Sequence, residues 1–298
     1  MFYRRKIILA LLEAFGGKLE KLRFQKLLFL LTTQQDIPSF EFIPYKYGCF
    51  SFQSYADLRA MTKHGQVREV GNGSSEYWMK VDRKGYSKEL STSDLSTLQV
   101  VRKTFRKCSR ADLIRYTYKN FPYYAVNSTI GHCYLDGSEL KIVQESRPRS
   151  NENVLFTIGY EGISLERYLN RLIHNDVKVL CDVRRNAFSM KRGFSKNQLK
   201  NACESIGIDY RHMPELGIAS DKRRYLSSEA DYKALFQEYR NTTLKAASSA
   251  LLELLDLIKK NSRIALTCFE ANINRCHRKH LADRLNTLHE REFQVRHI

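Results

Sequence analysis

Along the chain, apolar residues alternate between a helical and an extended period. Ile7 to Phe15 has helical spacing and stops at Gly16-Gly17, a natural helix terminator. Leu22, Phe24, Leu27, Leu28 and Leu31 give a second helix a wide apolar face. Phe40 to Tyr45 reads as a short extended segment. Ser51 to His64 reads as a third helix, with Tyr55, Leu58 and Met61 on one side. Gln66–Val70 and Glu76–Val81 are strand-like and joined by Gly71-Asn72-Gly73-Ser74-Ser75, a strong hairpin turn. A further helix is expected from Ser93 towards Lys107. Ser109 can cap another that reaches Asn120 before Pro122. Helices followed by a β-hairpin form the element order of a winged-helix domain, which is the expectation for this half.

The second half is punctuated differently. Val154–Ile158 is an apolar strand, and Ser164 caps a helix with Leu165, Tyr168, Leu169, Leu172 and Ile173 on its apolar face. Val177–Cys181 reads as a buried strand, and Ser195 caps a helix that runs to Gly207. Ile208–His212 is a third strand, closed by Pro214-Glu215-Leu216-Gly217. One long helix is expected over roughly Ala230 to Lys259, then a strand Arg263–Thr267, a helix from about Cys276 and a last strand in Phe293–Ile298. Strands alternating with helices predict an α/β fold: a mostly parallel sheet with helices on both faces. The polar run Gly137 to Asn153 is the best linker candidate, which puts domains at 1–150 and 151–298.

A length of 298 residues agrees with two domains, and 43% hydrophobic residues suffice for two cores. Charge adds more. The formal net charge is +18. Residues 1–150 hold 25 Lys and Arg against 14 Asp and Glu, and residues 151–298 hold 25 against 18. Both halves are therefore basic, which favours a polyanion such as DNA or RNA as partner. The seven cysteines include no CxxC pair, so a reduced, cytoplasmic setting is expected. No apolar stretch is long enough to span a bilayer, so no membrane partner is expected.

Ligands of parallel sheets bind beyond the carboxyl ends of the strands, and the unusual polar clusters of the second half fall there. Asp182 and Glu270 are candidate acid, base or water-orienting groups. Tyr160, Arg184, Glu215, Arg275 and Arg278 are candidate ligand contacts, with Cys276 and His277 at the start of a helix whose N-terminus favours anions. As buried partners of the arginines, Asp182 and Glu270 would only hold geometry. Cys268 ends a strand before a loop that carries Arg275, a layout that lowers a thiol pKa. The spacing is Cys-x6-Arg, however, not the Cys-x5-Arg of a phosphatase loop. Cys268 is thus open to three roles: nucleophile, core residue, or zinc ligand with Cys276, His277 and Glu270. No metal or cofactor is assigned, because the cysteine spacing is non-standard for zinc. In the first half, Arg102, Arg106 and Arg110, with Lys103 and Lys107 beside them, form a basic stripe suited to a phosphate backbone or simply to solvent.

The segments Thr157-Ile158-Gly159, Asp182-Val183-Arg184, Pro214-Glu215-Leu216-Gly217, Cys268-Phe269-Glu270 and Cys276-His277-Arg278 resemble DUF488, a domain of unknown function. That resemblance spans about residues 154–298 and supports the fold and the site more than a reaction. The long basic loop after Arg185, with Lys191, Arg192 and Lys196, departs from it. The string Lys21-Leu22-Arg23-Phe24-Gln25-Lys26-Leu27-Leu28-Phe29-Leu30, with Tyr45 to Ser51, loosely resembles Panacea-type antitoxin or adaptor domains. The expected function is a cytoplasmic nucleic-acid- or nucleotide-associated protein whose C-terminal domain binds, and in one reading processes, a phosphate-bearing ligand. The rival reading is a non-enzymatic adaptor or regulator with a protein partner, antitoxin-like in its first half and nucleotide-sensing in its second.

Overall fold

A computed structural model describes residues 1–71, 76–223, 226–288 and 293–298. The chain forms two compact units, Met1–Arg147 and Pro148–Ile298.

The first unit opens with α1 (Tyr3–Ala14), β1 (Lys18–Glu20) and α2 (Lys21–Thr32). Ile7 to Leu12 are all buried, as are Phe24 and Leu27 to Leu31, so these two helices form the centre of the core. A small antiparallel pair, β2 (Ile43–Tyr45) and β3 (Gly48–Phe50), leads to α3 (Phe52–Lys63). Ser51 caps α3 by accepting the Ser54 N–H at 3.2 Å, a contact worth about 1 kcal/mol. Then come β4 (Val67–Val70) and β5 (Tyr77–Lys80). They pair antiparallel with each other, and β1 pairs with β5, giving a three-stranded sheet ordered β1-β5-β4. Asn72 to Ser75 of the expected turn lie outside the described residues.

The strands β1 and β3 carry no alternation readable in three residues and are additions to the sequence reading. Two helices follow, α4 (Thr92–Phe105) and α5 (Arg110–Asn120), the latter with a capping box between Ser109 and Asp112. The expected linker needs correction: Gly137–Glu145 is a helix, α6. It starts on a capping box in which Asp136 accepts the Glu139 N–H and Glu139 reaches back to the Asp136 N–H.

In the second unit β6 (Val154–Gly159), α7 (Leu165–His174), β7 (Val179–Asp182), α8 (Lys196–Glu204) and β8 (Asp209–His212) alternate. The expected single long helix is three pieces: α9 (Glu229–Asn241), α10 (Thr243–Ala246) and α11 (Ser248–Asn261). After α11 come β9 (Arg263–Cys268), α12 (His277–Leu288) and β10 (Gln294–His297).

All four strand pairings are parallel, in the order β10-β6-β9-β7-β8, and helices flank the sheet. Every residue of β6 and β9 is buried, which explains their continuous apolar runs: a covered parallel sheet has no wet face to alternate with. The chain steps outward from β6 to β7 to β8, then returns to insert β9 between β6 and β7. That reversal falls among the three central strands, and ligands of parallel sheets ordinarily bind at the carboxyl ends beside such a reversal. Among the described residues, no helix is long and apolar enough to cross a membrane.

Candidate functional site

The carboxyl edge of the sheet holds two polar clusters. The first is built on the end of β7. Asp182 is fully buried, and its carboxylate is filled. Oδ1 accepts from the Arg184 Nε at 2.8 Å, and Oδ2 accepts from a terminal Arg184 nitrogen at 2.5 Å and from the Tyr210 hydroxyl at 2.6 Å. Alternation along an extended chain puts Asp182 and Arg184 on one side, which allows this fork-to-fork pair. The remaining guanidinium nitrogen of Arg184 donates to the Tyr160 hydroxyl at 2.7 Å and to the Phe194 carbonyl at 2.8 Å. The Tyr160 ring stacks on Phe194, with centroids 4.3 Å apart. Burial works against the charge of Arg184, but the Asp182 carboxylate outweighs it and raises its pKa. Arg184 is 5% exposed, so the sequence expectation of an anion grip meets a side chain spent on internal partners.

Arg278 differs from expectation in the same way. It is 1% exposed, and its guanidinium clips strand ends together by donating to the Ile158, Cys268 and Glu270 carbonyls. Gly159 belongs to this clip, because a Cβ there would collide with the Glu270 carbonyl. Arg275, placed by sequence beside the thiol, is exposed and lies over the Tyr232 ring, 5.7 Å from its centroid. Glu215 is also exposed, on the turn after β8.

The second cluster gathers Cys268, at the end of β9, with Cys276 and His277 at the start of α12. Their ligating atoms lie within 4.8 Å of one another and all three residues are buried. The His277 Nδ1 is 3.8 Å from the Cys268 sulfur and 3.9 Å from that of Cys276. Its Nε2 faces the Val183 carbonyl oxygen at 3.0 Å. A carbonyl only accepts, so Nε2 carries the proton and the Nδ1 lone pair looks into the cluster.

Arg223 approaches from the turn Ser220–Arg223. One of its terminal nitrogens donates to Nδ1 at 2.7 Å and the other to a Glu270 oxygen. The second oxygen of Glu270, Oε2, is buried and has no hydrogen-bond partner among the described residues.

The two thiols share their proton unequally. A hydrogen bond from Cys276, together with the contact from His277 and the charge of Arg223, outweighs burial and pulls the Cys268 thiol well below its ordinary range. Burial and the neighbouring Cys268 charge push Cys276 well above it. Glu270 is raised, first by burial and then by the Cys268 charge. The arrangement therefore offers a thiol of lowered pKa, a cation and a carboxyl group of raised pKa at one edge.

A family model described as "Domain of unknown function DUF488" matches residues 164–285. The DUF488 region thus contains β7, β8, β9 and both thiols, while β6, with Thr157-Ile158-Gly159, precedes it. No curated protein matches the chain.

Arg223 is the member that sequence reasoning missed. Its signal was the basic run Lys222-Arg223 shortly after the Pro214 turn, which has no fixed spacing from Cys268. Arg102, Lys103, Arg106, Lys107 and Arg110 are exposed, but they surround a turn instead of lining one helix. Arg102 and Lys103 end α4, Arg106 and Lys107 follow it, and Arg110 opens α5, paired with Glu20 at 3.0 Å.

Proposed function

We propose that this protein is a nucleic-acid- or nucleotide-associated cytoplasmic protein whose C-terminal unit binds and processes a phosphate-bearing ligand. One observation carries the reading: Cys268, His277, Arg223 and Glu270 converge where the returning strand β9 meets the start of α12. A crevice at such a strand reversal is where parallel sheets bind ligands, and a helix start beside a guanidinium suits an anion. In this reading Arg223 meets the phosphate. Glu270, whose pKa is raised and whose Oε2 has no hydrogen-bond partner among the described residues, takes a proton from the attacking group. Asp182, Arg184 and Arg278 are positioning residues, and Tyr160 holds Arg184 in place.

The first unit supports the polyanion half of the proposal. Its order α1-β1-α2, α3, β4-β5 with sheet order β1-β5-β4 supports the winged-helix reading, on which α3 and the β4–β5 pair would make the contacts. The non-enzymatic adaptor reading is favoured by a different observation: the internal spending of Asp182, Arg184 and Arg278.

Turnover separates the two readings. Wild-type protein is offered labelled nucleotides, DNA and RNA beside Glu270→Gln. Product formation by wild type that disappears in the variant is expected, with binding retained. Binding without product in both proteins would favour the adaptor.

A further inference from the structure

We infer that Cys268, Cys276 and His277 form a binding site for one thiophilic divalent cation of the zinc class, with three protein ligands and an open fourth position beside Glu270. The inference rests on donor geometry and does not depend on the phosphate reading.

Tetrahedral coordination with a metal–sulfur bond of about 2.3 Å and a metal–nitrogen bond of about 2.05 Å separates sulfur from nitrogen by about 3.6 Å. The two sulfur–nitrogen distances here are 3.8 and 3.9 Å. A shift of a few tenths of an ångström therefore brings each sulfur–nitrogen pair to coordination distance, and all three donor atoms lie within 4.8 Å of one another. Chance packing of buried side chains does not require the histidine tautomer to suit coordination as well, yet it does. The Val183 carbonyl takes the Nε2 proton, which is the outer contact that metal-binding histidines ordinarily have, and it leaves the Nδ1 lone pair for the cation.

Charge agrees. Two thiolates neutralise a divalent ion, and Arg223 and Glu270 neutralise each other at the partly exposed side of the cluster. Binding exchanges the remaining thiol protons for the metal, and they leave to solvent. Arg223 then gives up its bond to Nδ1 and keeps the one to Glu270. A donor set of two sulfurs and one imidazole selects zinc over magnesium or calcium, which prefer oxygen ligands. Three protein ligands leave the fourth position for water, as in catalytic zinc sites. Glu270 reaches the cluster through Arg223, which bridges it to His277, and its Oε2 has no hydrogen-bond partner among the described residues.

The test is made on the full chain, stripped with a chelator under reducing conditions and then titrated separately with zinc and with cobalt(II). One equivalent of zinc per chain is expected. With cobalt, thiolate-to-metal charge-transfer bands and the strong visible bands of tetrahedral coordination are expected. The weak spectrum of aqueous cobalt with wild-type protein would overturn the inference without recourse to any variant. Cys276→Ser and His277→Ala should each weaken uptake at least tenfold, with circular dichroism showing that the fold persists. A wild-type spectrum retained in both would also overturn the site. Glu270→Gln should bind a full equivalent, and its failure to do so would refute the open fourth position. Stoichiometric metal without turnover of any nucleotide would support this site and count against the catalytic reading, so the two ideas fail separately.

Discussion

His277 is held to Val183 by a 3.0 Å contact from its Nε2 to the backbone carbonyl, and that contact aims the opposite ring nitrogen at two cysteines. Val183 stands between Asp182 and Arg184, so the same strand end that carries the filled ion pair also orients the histidine of the thiol cluster. The two clusters therefore share a backbone support, and damage to one is expected to reach the other.

Arg278→Ala tests the clip. Three carbonyls at the strand ends lose a charged donor, two of them the carbonyls of Cys268 and Glu270 themselves. A loss of about 3 kcal/mol or more in urea-unfolding stability is expected, since each unsatisfied buried acceptor costs about 1–3 kcal/mol. A variant as stable as wild type that loses ligand affinity alone would instead return Arg278 to the ligand.

Acid should loosen the first unit through Asp57. Burial pushes its carboxyl up, but hydrogen bonds from Arg4, Arg5 and Gln53 outweigh that and hold it below the ordinary carboxylate range. A depressed folded-state pKa stabilises above the unfolded value, and the contribution is lost as pH falls through the folded one. The melting temperature should therefore drop below about pH 4, the ordinary carboxylate range, and Asp57→Asn should flatten that part of the curve. A variant with an unchanged acid limb would assign the acid sensitivity to other carboxylates.

Much of this architecture can be read from the chain, and the failures have physical causes. The strands β6 and β9 are legible because burial on both faces leaves uninterrupted apolar runs bounded by turns. The three-residue strands β1 and β3 are not, since so short a segment has no period, and only pairing makes them strands. Helix α6 was hidden by its polarity, although the capping pair Asp136 and Glu139 marked its start. The site was legible as strand-end residues, but its wiring was not. The partners that consume Arg184 and Arg278 include backbone carbonyls, which carry no sequence signal, and Arg223 comes from a turn distant in sequence.

Trypsin should find the boundary between the units at one bond. Arg147 is held by the Val126 carbonyl, and cleavage after it is blocked by Pro148. Ser150 and Glu152 are tied to Arg263. Arg149 is exposed between them, so the first cut should follow it and release two resistant fragments. Early cleavage within α6, after Lys141, instead would contradict this local account.

Salt dependence examines the basic turn between α4 and α5. If it contacts phosphates, replacing Arg102, Arg106 and Arg110 with Ala should reduce the slope of log affinity against log salt for a duplex by about two to three. An unchanged slope would leave these side chains to solvent and, for Arg110, to Glu20.

On our proposal a phosphate-bearing ligand is held where Arg223 and Glu270 meet Cys268, whose thiol pKa is lowered. Equilibrium binding of labelled nucleotides and short oligonucleotides at low salt, compared between wild type and Arg223→Ala, measures it most directly. Wild type should bind at least one of these probes, and Arg223→Ala should bind it at least tenfold more weakly with its circular dichroism unchanged, the loss of one charge-assisted contact of about 1.5–3 kcal/mol. Equal affinity in the two proteins, or no binding of any probe by wild type, would contradict the account.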